Sequence, residues 1–193
     1  MKHFYNDIHG WFTFPDLYSR VVSRFPSGSH FVEIGVWKGK SACYMAVEIL
    51  NSKKKIQFDC VDTWEGSDEH LDVGGEAFEQ NLLTNKDWIW ESFLSNISTV
   101  KTVINPIRKH SLEAVDLYGG NSLDFVFIDA AHDYENVTKD IQAWFPKVKA
   151  GGIIAGHDYA WGPEVKKAAD DFFRAKGLPV MEEEGCWIVN KTS

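Results

Sequence analysis

Six side chains of the kinds that bind cations or move protons stand in or just past apolar runs: Glu33 in FVEIG, Asp62 after FDCV, Asp129 and His132 in FVFIDAAHDY, and His157 and Asp158 in GGIIAGHDY. Asp129 and Asp158 with His157 make a site for a divalent metal. Carboxylate oxygens suit Mg²⁺, and an imidazole tilts the choice towards Mn²⁺. Taken singly, each has a structural alternative: an Asp at a helix head is a common cap, and His157 could bond backbone. Their joint placement at adjacent strand ends raises the metal assignment above those alternatives.

A second constellation is VEIGVWKGKS, with Gly35 and Gly39 four apart, Val36 between them and Ser41 opening a helical pattern. A strand that ends in a glycine turn and feeds a helix makes a crevice for a nucleotide-like ligand. The glycines allow close backbone approach, and the helix start offers N–H groups to an anion. The same two glycines also fit an ordinary strand-to-helix turn. An acid roughly 20 residues beyond such a turn bonds ribose hydroxyls, and Asp62, at the end of the next strand, takes that place. Trp64 can cover a sulfur or an aromatic base, or can pack in the core.

The elements that position these groups follow from hydrophobic period and turn residues. Strands are predicted over 31–35, 56–61, 100–104, 123–128 and 151–155. Two short final strands, 179–183 and 186–190, form an antiparallel hairpin about Glu184-Gly185. Helices are predicted over 40–51, 76–98, 111–118 and 134–145, with a last one running from Pro163 to Gly177. Asn105-Pro106 is expected to be a turn, and Lys53-Lys54-Lys55 a solvated loop. The alternation describes one α/β domain over 1–193: a doubly wound, Rossmann-like, mostly parallel seven-stranded sheet with a C-terminal antiparallel hairpin. Residues 1–30 form an aromatic arm that covers the core or overhangs the site. Residues 65–90 form a flap over it, where substrate recognition tends to lie.

The 193 residues are 44% hydrophobic and 14% aromatic, which makes a folded domain with a sizeable core. A formal charge of -8 argues against nucleic acid or an anionic membrane as partner. Cys43, Cys60 and Cys186 are scattered through apolar patterns and lack metal-ligand spacing, as expected for buried thiols in a reducing cytoplasm. No signal-peptide pattern or membrane-spanning run is seen in the sequence. Aromatics near the N-terminus leave room for a homodimer.

These motifs resemble those of class I S-adenosylmethionine-dependent methyltransferases. More narrowly, they resemble the metal-dependent small-molecule O-methyltransferases of the catechol and antibiotic-sugar types, over about 30–190. The resemblance implies S-adenosylmethionine as cofactor, with Glu33, Gly35, Val36, Gly39 and Ser41 around its amino-acid end. It implies Asp62 at the ribose, with Trp64 nearby, and Ser111 of KHSLEA at the adenine. It makes Asp129 a metal ligand bordering the cofactor, His132 the general base, and His157 and Asp158 the remaining ligands for Mg²⁺ or Mn²⁺. The chain departs from the family at His157, where the family usually has an acid. The implied reaction is methyl transfer to a hydroxyl of a small molecule, a sugar or a phenol. The alternative is a nucleotide- or S-adenosylmethionine-binding module of the same fold without metal-dependent transfer. A dehydrogenase is disfavoured, because the three-glycine dinucleotide fingerprint is incomplete.

Overall fold

The central strand β4 (Leu123–Ile128) sends Phe125 and Phe127 to one face of a sheet and Val126 and Ile128 to the other. Both sets are buried, so helices must cover both faces, as a parallel sheet requires. The computed structural model describes residues 1–75 and 78–192, the side chains of 68 and 69 excepted. Its other strands are β1 (His30–Ile34), β2 (Gln57–Asp62), β3 (Ile104–Arg108), β5 (Val148–Gly156), β6 (Met181–Glu183) and β7 (Cys186–Asn190). They lie in the order β3-β2-β1-β4-β5-β7-β6, parallel from β3 to β5, with β7 antiparallel to both its neighbours. Helices α1 (Pro15–Arg24), α2 (Lys40–Ser52) and α4 (Trp88–Asn96) bury Leu17, Ala46 and Phe93 on the Phe125 face. Helices α5 (Ser111–Ala114), α6 (Tyr134–Trp144) and α7 (Pro163–Ala175) bury Ala114, Ile141 and Phe173 on the other. Pro15 and Pro163 each occupy the first turn of a helix, where a missing N–H costs nothing. Among the described residues no helix is long and apolar enough to cross a membrane. All three cysteines are buried free thiols.

Three expectations need correction. The third strand lies at Ile104–Arg108 instead of 100–104, and Pro106 sits inside it opposite Cys60. Proline is tolerated there because β3 is an edge strand with one side unpaired. Among the described residues the helix expected over 76–98 is two short pieces, a 3₁₀ turn Gln80–Leu83 and α4, and a further short helix, α3 (Asp68–Leu71), lies upstream of it. Residues 76 and 77, where that helix was to begin, lie outside the described residues. Lys54 is not simply solvated. Its Nζ donates to the carbonyls of Val22, Ser23 and Phe25 at 2.7–2.8 Å and so closes the C-terminus of α1.

Register decides what the sheet presents. Ile34 pairs with Val61 and Ile128, and Ile128 pairs with Gly156. One residue further on, Asp62, Gly35, Asp129 and His157 therefore stand in a row across the carboxyl ends of β2, β1, β4 and β5. The row is tied by Gly35 N–H to the Val61 carbonyl (2.9 Å), Asp129 N–H to the Ile34 carbonyl (2.8 Å) and His157 N–H to the Ile128 carbonyl (3.2 Å). The strand order reverses between β1 and β4, which is where open α/β sheets bind their ligands.

Candidate active site

A cavity of about 680 Å³ opens over this row. Gly35, Val36, Ser41, Asp62, Trp64, Ser111, Asp129, His132, His157 and Asp158 all border it. Glu33 and Gly39 do not. The turn after β1 requires glycine at 35: its φ is +81°, and a Cβ there would stand 2.0 Å from the Asp129 carbonyl oxygen.

The chemistry gathers at the ends of β4 and β5. Donor atoms of Asp129, His132 and Asp158 lie within 4.8 Å of one another. Atoms around a single divalent ion are spaced this way, and two carboxylates with an imidazole suit Mg²⁺ or, better, Mn²⁺, so the residues fit a cation. His132, expected as a base, thus belongs to the same cluster, with Nε2 3.0 Å from Asp158 Oδ2. His157 reaches the same carboxylates from the buried side: its Nδ1 is 3.3 Å from Asp158 and 3.6 Å from Asp129, and its Nε2 is 3.1 Å from the Thr13 hydroxyl. Burial works against a charge on His157, but the hydrogen bond and negative charge of Asp129, with Asp158 adding, outweigh it and raise its pKa. Burial works the other way on Asp158, where His132, His157 and the Trp161 indole N–H hold the carboxyl below its ordinary range. Asp158 has a left-handed backbone, φ +61°, unusual outside glycine.

Around the glycine turn the structure redistributes the expected contacts. Asp62 Oδ2 accepts the backbone N–H groups of Val36 and Trp37, both at 2.8 Å, and Oδ1 accepts that of Trp64 at 2.7 Å. The acid is first of all the clamp that holds the turn against β2. Trp64 is fully buried against Trp90 and Phe93, and its indole N–H is spent on the Trp37 carbonyl, so it serves as packed wall. Glu33 lies one layer behind the cavity, hydrogen-bonded by the Ser41 hydroxyl. Its pKa is pushed up to about 8 by burial, against the pull of the Ser41 bond and with Asp129 adding to the push. Gly39, the residue before α2, has φ +83°, and a side chain there would press on Phe93.

Other lining residues were not singled out from sequence. Gly10 and Trp11 come from the N-terminal arm, and Trp11 stacks on Trp37 with centroids 5.4 Å apart. His70 and Asp72 come from the flap, and Trp161 from the loop after β5. Asp140 of α6 also borders the cavity, 5% exposed. Its signal was present: three residues past Val137 and four before Trp144, it interrupts the apolar stripe of α6 with an acid.

Residues 32–159 match the family model described as a methyltransferase domain. The chain is 27% identical over 128 residues to the uncharacterized protein y4gI of Sinorhizobium fredii, covering 66% of this chain and 13% of that protein. It is 33% identical over 78 residues to the uncharacterized protein R132 of Acanthamoeba polyphaga mimivirus, covering 36% and 35%. The chain therefore spans about an eighth and about a third of the curated relatives it matches. Among solved structures it is similar to the O-methyltransferase NovP, with a TM-score of 0.70 and 16% identity over 93% of this chain and 79% of that one. It is also similar to the MycE methyltransferase of the mycinamycin biosynthetic pathway, in complex with Mg and SAH, with a TM-score of 0.55 and 16% identity over 92% and 49%. At these identities the structural likeness carries the fold.

Proposed function

The chain belongs to the methyltransferase domain family, and from that premise we propose that it moves the methyl group of S-adenosylmethionine to a hydroxyl oxygen of a small molecule, a sugar or a phenol, assisted by a divalent cation and a histidine base. The observation that carries this is the meeting of Asp129, His132 and Asp158 at one end of a cavity whose other wall is the glycine turn. The cavity has the volume of a small-molecule site, and its acidic groups suit a positively charged sulfonium.

Asp129 and Asp158 would hold the cation, with His157 beside them; His132, the third residue of that cluster, is assigned to the proton and not to the ion. A cation held there would supply Lewis acidity to a neighbouring hydroxyl, making it a better nucleophile. His132, half exposed beside the cavity, takes the proton that the acceptor oxygen loses as its bond to the methyl carbon forms and the carbon–sulfur bond breaks. An imidazole is the side chain suited to proton exchange near neutral pH, and Asp158, 3.0 Å from Nε2, would stabilise the imidazolium formed. Trp11 and the flap residues His70 and Asp72 bound the acceptor's side of the space. The acidic chain is ill suited to a nucleic acid as acceptor.

Calorimetry should show S-adenosylhomocysteine binding to the purified protein. Labelled S-adenosylmethionine with a panel of catechols and hexoses should then give Mn²⁺-dependent transfer that a chelator abolishes. If neither S-adenosylmethionine nor its product binds, the proposal fails. One observation favours the second reading, a cofactor-binding module without metal-dependent transfer: the His157 imidazole already lies against both carboxylates. That reading predicts cofactor binding indifferent to chelator and no chelator-sensitive turnover.

A further inference from the structure

We infer that Asp140 is the residue that reads the base of the cofactor, and that Ser111, expected at the adenine, instead positions it. The inference rests on the methyltransferase reading above. Trp144 Nε1 donates to Ser111 Oγ at 2.8 Å, and Ser111 Oγ donates to Asp140 Oδ1 at 2.5 Å. A serine has one hydrogen to give. Ser111 has given it to Asp140 and has none left for a ring nitrogen. The hydroxyl is held from both sides, and it fixes the carboxylate in turn.

The carboxylate has one oxygen unspent. Among the described residues no donor reaches Asp140 Oδ2. Nor is that oxygen sealed in: the fully occluded side-chain atoms without a partner belong to Tyr18, Glu33 and Trp37. Asp140 is 5% exposed and borders the cavity at the Ser111 end, so the accessible edge of Oδ2 is offered to whatever fills that end. A nearly buried carboxylate oxygen without a donor carries a desolvation cost that a ligand N–H would relieve. The chemistry asked for is an exocyclic amino group, which adenine carries and hypoxanthine replaces with a carbonyl oxygen. An acceptor facing an acceptor is repulsive, so the site should discriminate against the oxo base.

The test is calorimetric binding of S-adenosylhomocysteine and S-inosylhomocysteine to the full chain. Wild type should bind the adenosyl compound about ten- to a hundredfold more tightly, the range of one hydrogen bond to a charged group. In Asp140→Asn the amide keeps an oxygen for Ser111 and turns N–H groups to the base, so the preference should fall below about threefold or reverse. A wild-type ratio in this variant overturns the inference. Ser111→Ala provides a second measurement should Asp140→Asn not fold: it leaves the acid but removes what orients it. The adenosyl preference should shrink there too, and an unchanged ratio counts against the assignment. Equal, tight binding of both compounds by wild type overturns the role of Asp140 alone. Binding of neither overturns the cofactor reading and this inference with it.

Discussion

The sheet carries an aspartate–histidine cluster towards each end, and the two differ in access. Towards the amino ends of the strands, Asp59 accepts from His30 Nε2 at 2.7 Å, the Tyr118 hydroxyl at 2.8 Å and the Asn105 amide at 3.0 Å, with Gln57 more distant at 3.3 Å. It is 2% exposed and lines neither the site cavity nor the shallower one beside β2 and β3 that its partners Gln57 and Asn105 border. At the carboxyl ends, Asp129, His132, His157 and Asp158 bring the same residue types together, but the His132 side chain is 50% exposed and the Asp129 side chain 24%, all facing one cavity. The lower cluster uses its hydrogen-bonding capacity to hold strands together and is shut off from solvent, whereas the upper one is partly exposed on a cavity. Residue type alone would make both look like sites; access separates them.

Breaking one cluster at a time should separate binding from stability. The largest effect is expected for Asp129→Asn, which removes a charge from the site but little packing. Mn²⁺ affinity, followed by electron paramagnetic resonance titration, should fall about a hundredfold or more, while unfolding stability stays within about 1 kcal/mol of wild type. Unaltered Mn²⁺ binding would remove Asp129 from the proposed metal site. Next in size is Asp59→Asn, which leaves buried donors competing for a neutral acceptor. A loss of about 2–4 kcal/mol is expected, seen as a melting point about 5–15 °C lower, with Mn²⁺ affinity of the folded protein unchanged. Should Asp59→Asn weaken Mn²⁺ binding as well, the two ends are coupled and the contrast fails.

How far the sequence discloses these two ends depends on whether a signal is local. The upper row is legible because apolar strands stop abruptly at polar residues, and parallel register aligns the stops. The lower cluster is not, because Asp59 meets Tyr118 and His30 only through sheet order. Pro106 reads as a turn until β3 is known to be an edge strand. The first half of the flap lacks a clean period, and the helix expected over 76–98 runs across a break that no local signal marks. Glu33 shows a signal that was there to use: period-two alternation puts it on the side of Phe31, beneath α2, while Val32 and Ile34 face the other way. Its resemblance to a ligand-binding acid hid that geometry. Trp64 is the opposite case, since nothing local distinguishes a stacking indole from a packed one.

A third test sharpens the contrast through pH. Two buried acids respond in opposite senses. Burial alone would raise Asp59, but the donors His30, Asn105 and Tyr118 outweigh it and hold its pKa below the ordinary value. Its stabilisation is therefore present above the unfolded pKa of about 3.9 and lost as pH falls through the lower folded value. Glu33 is 1% exposed, and burial chiefly, with Asp129 and Asp62 adding, lifts its pKa to about 8 despite the hydrogen bond from Ser41. It folds as a neutral acid, so its contribution is complete below the unfolded pKa of about 4.3 and drains away as pH rises through about 8. Wild type should thus lose stability on both limbs. Glu33→Gln keeps the shape and an acceptor for Ser41 without the titration. It should flatten the limb between about pH 4.5 and 8 while leaving the acid limb, which Asp59→Asn should flatten instead. Urea midpoints across pH 3–9 read both slopes. If Glu33→Gln retains the full alkaline decline, the carboxyl behind the glycine turn is already charged at neutral pH, and the glycine turn has a buried anion beneath it instead of a neutral acid.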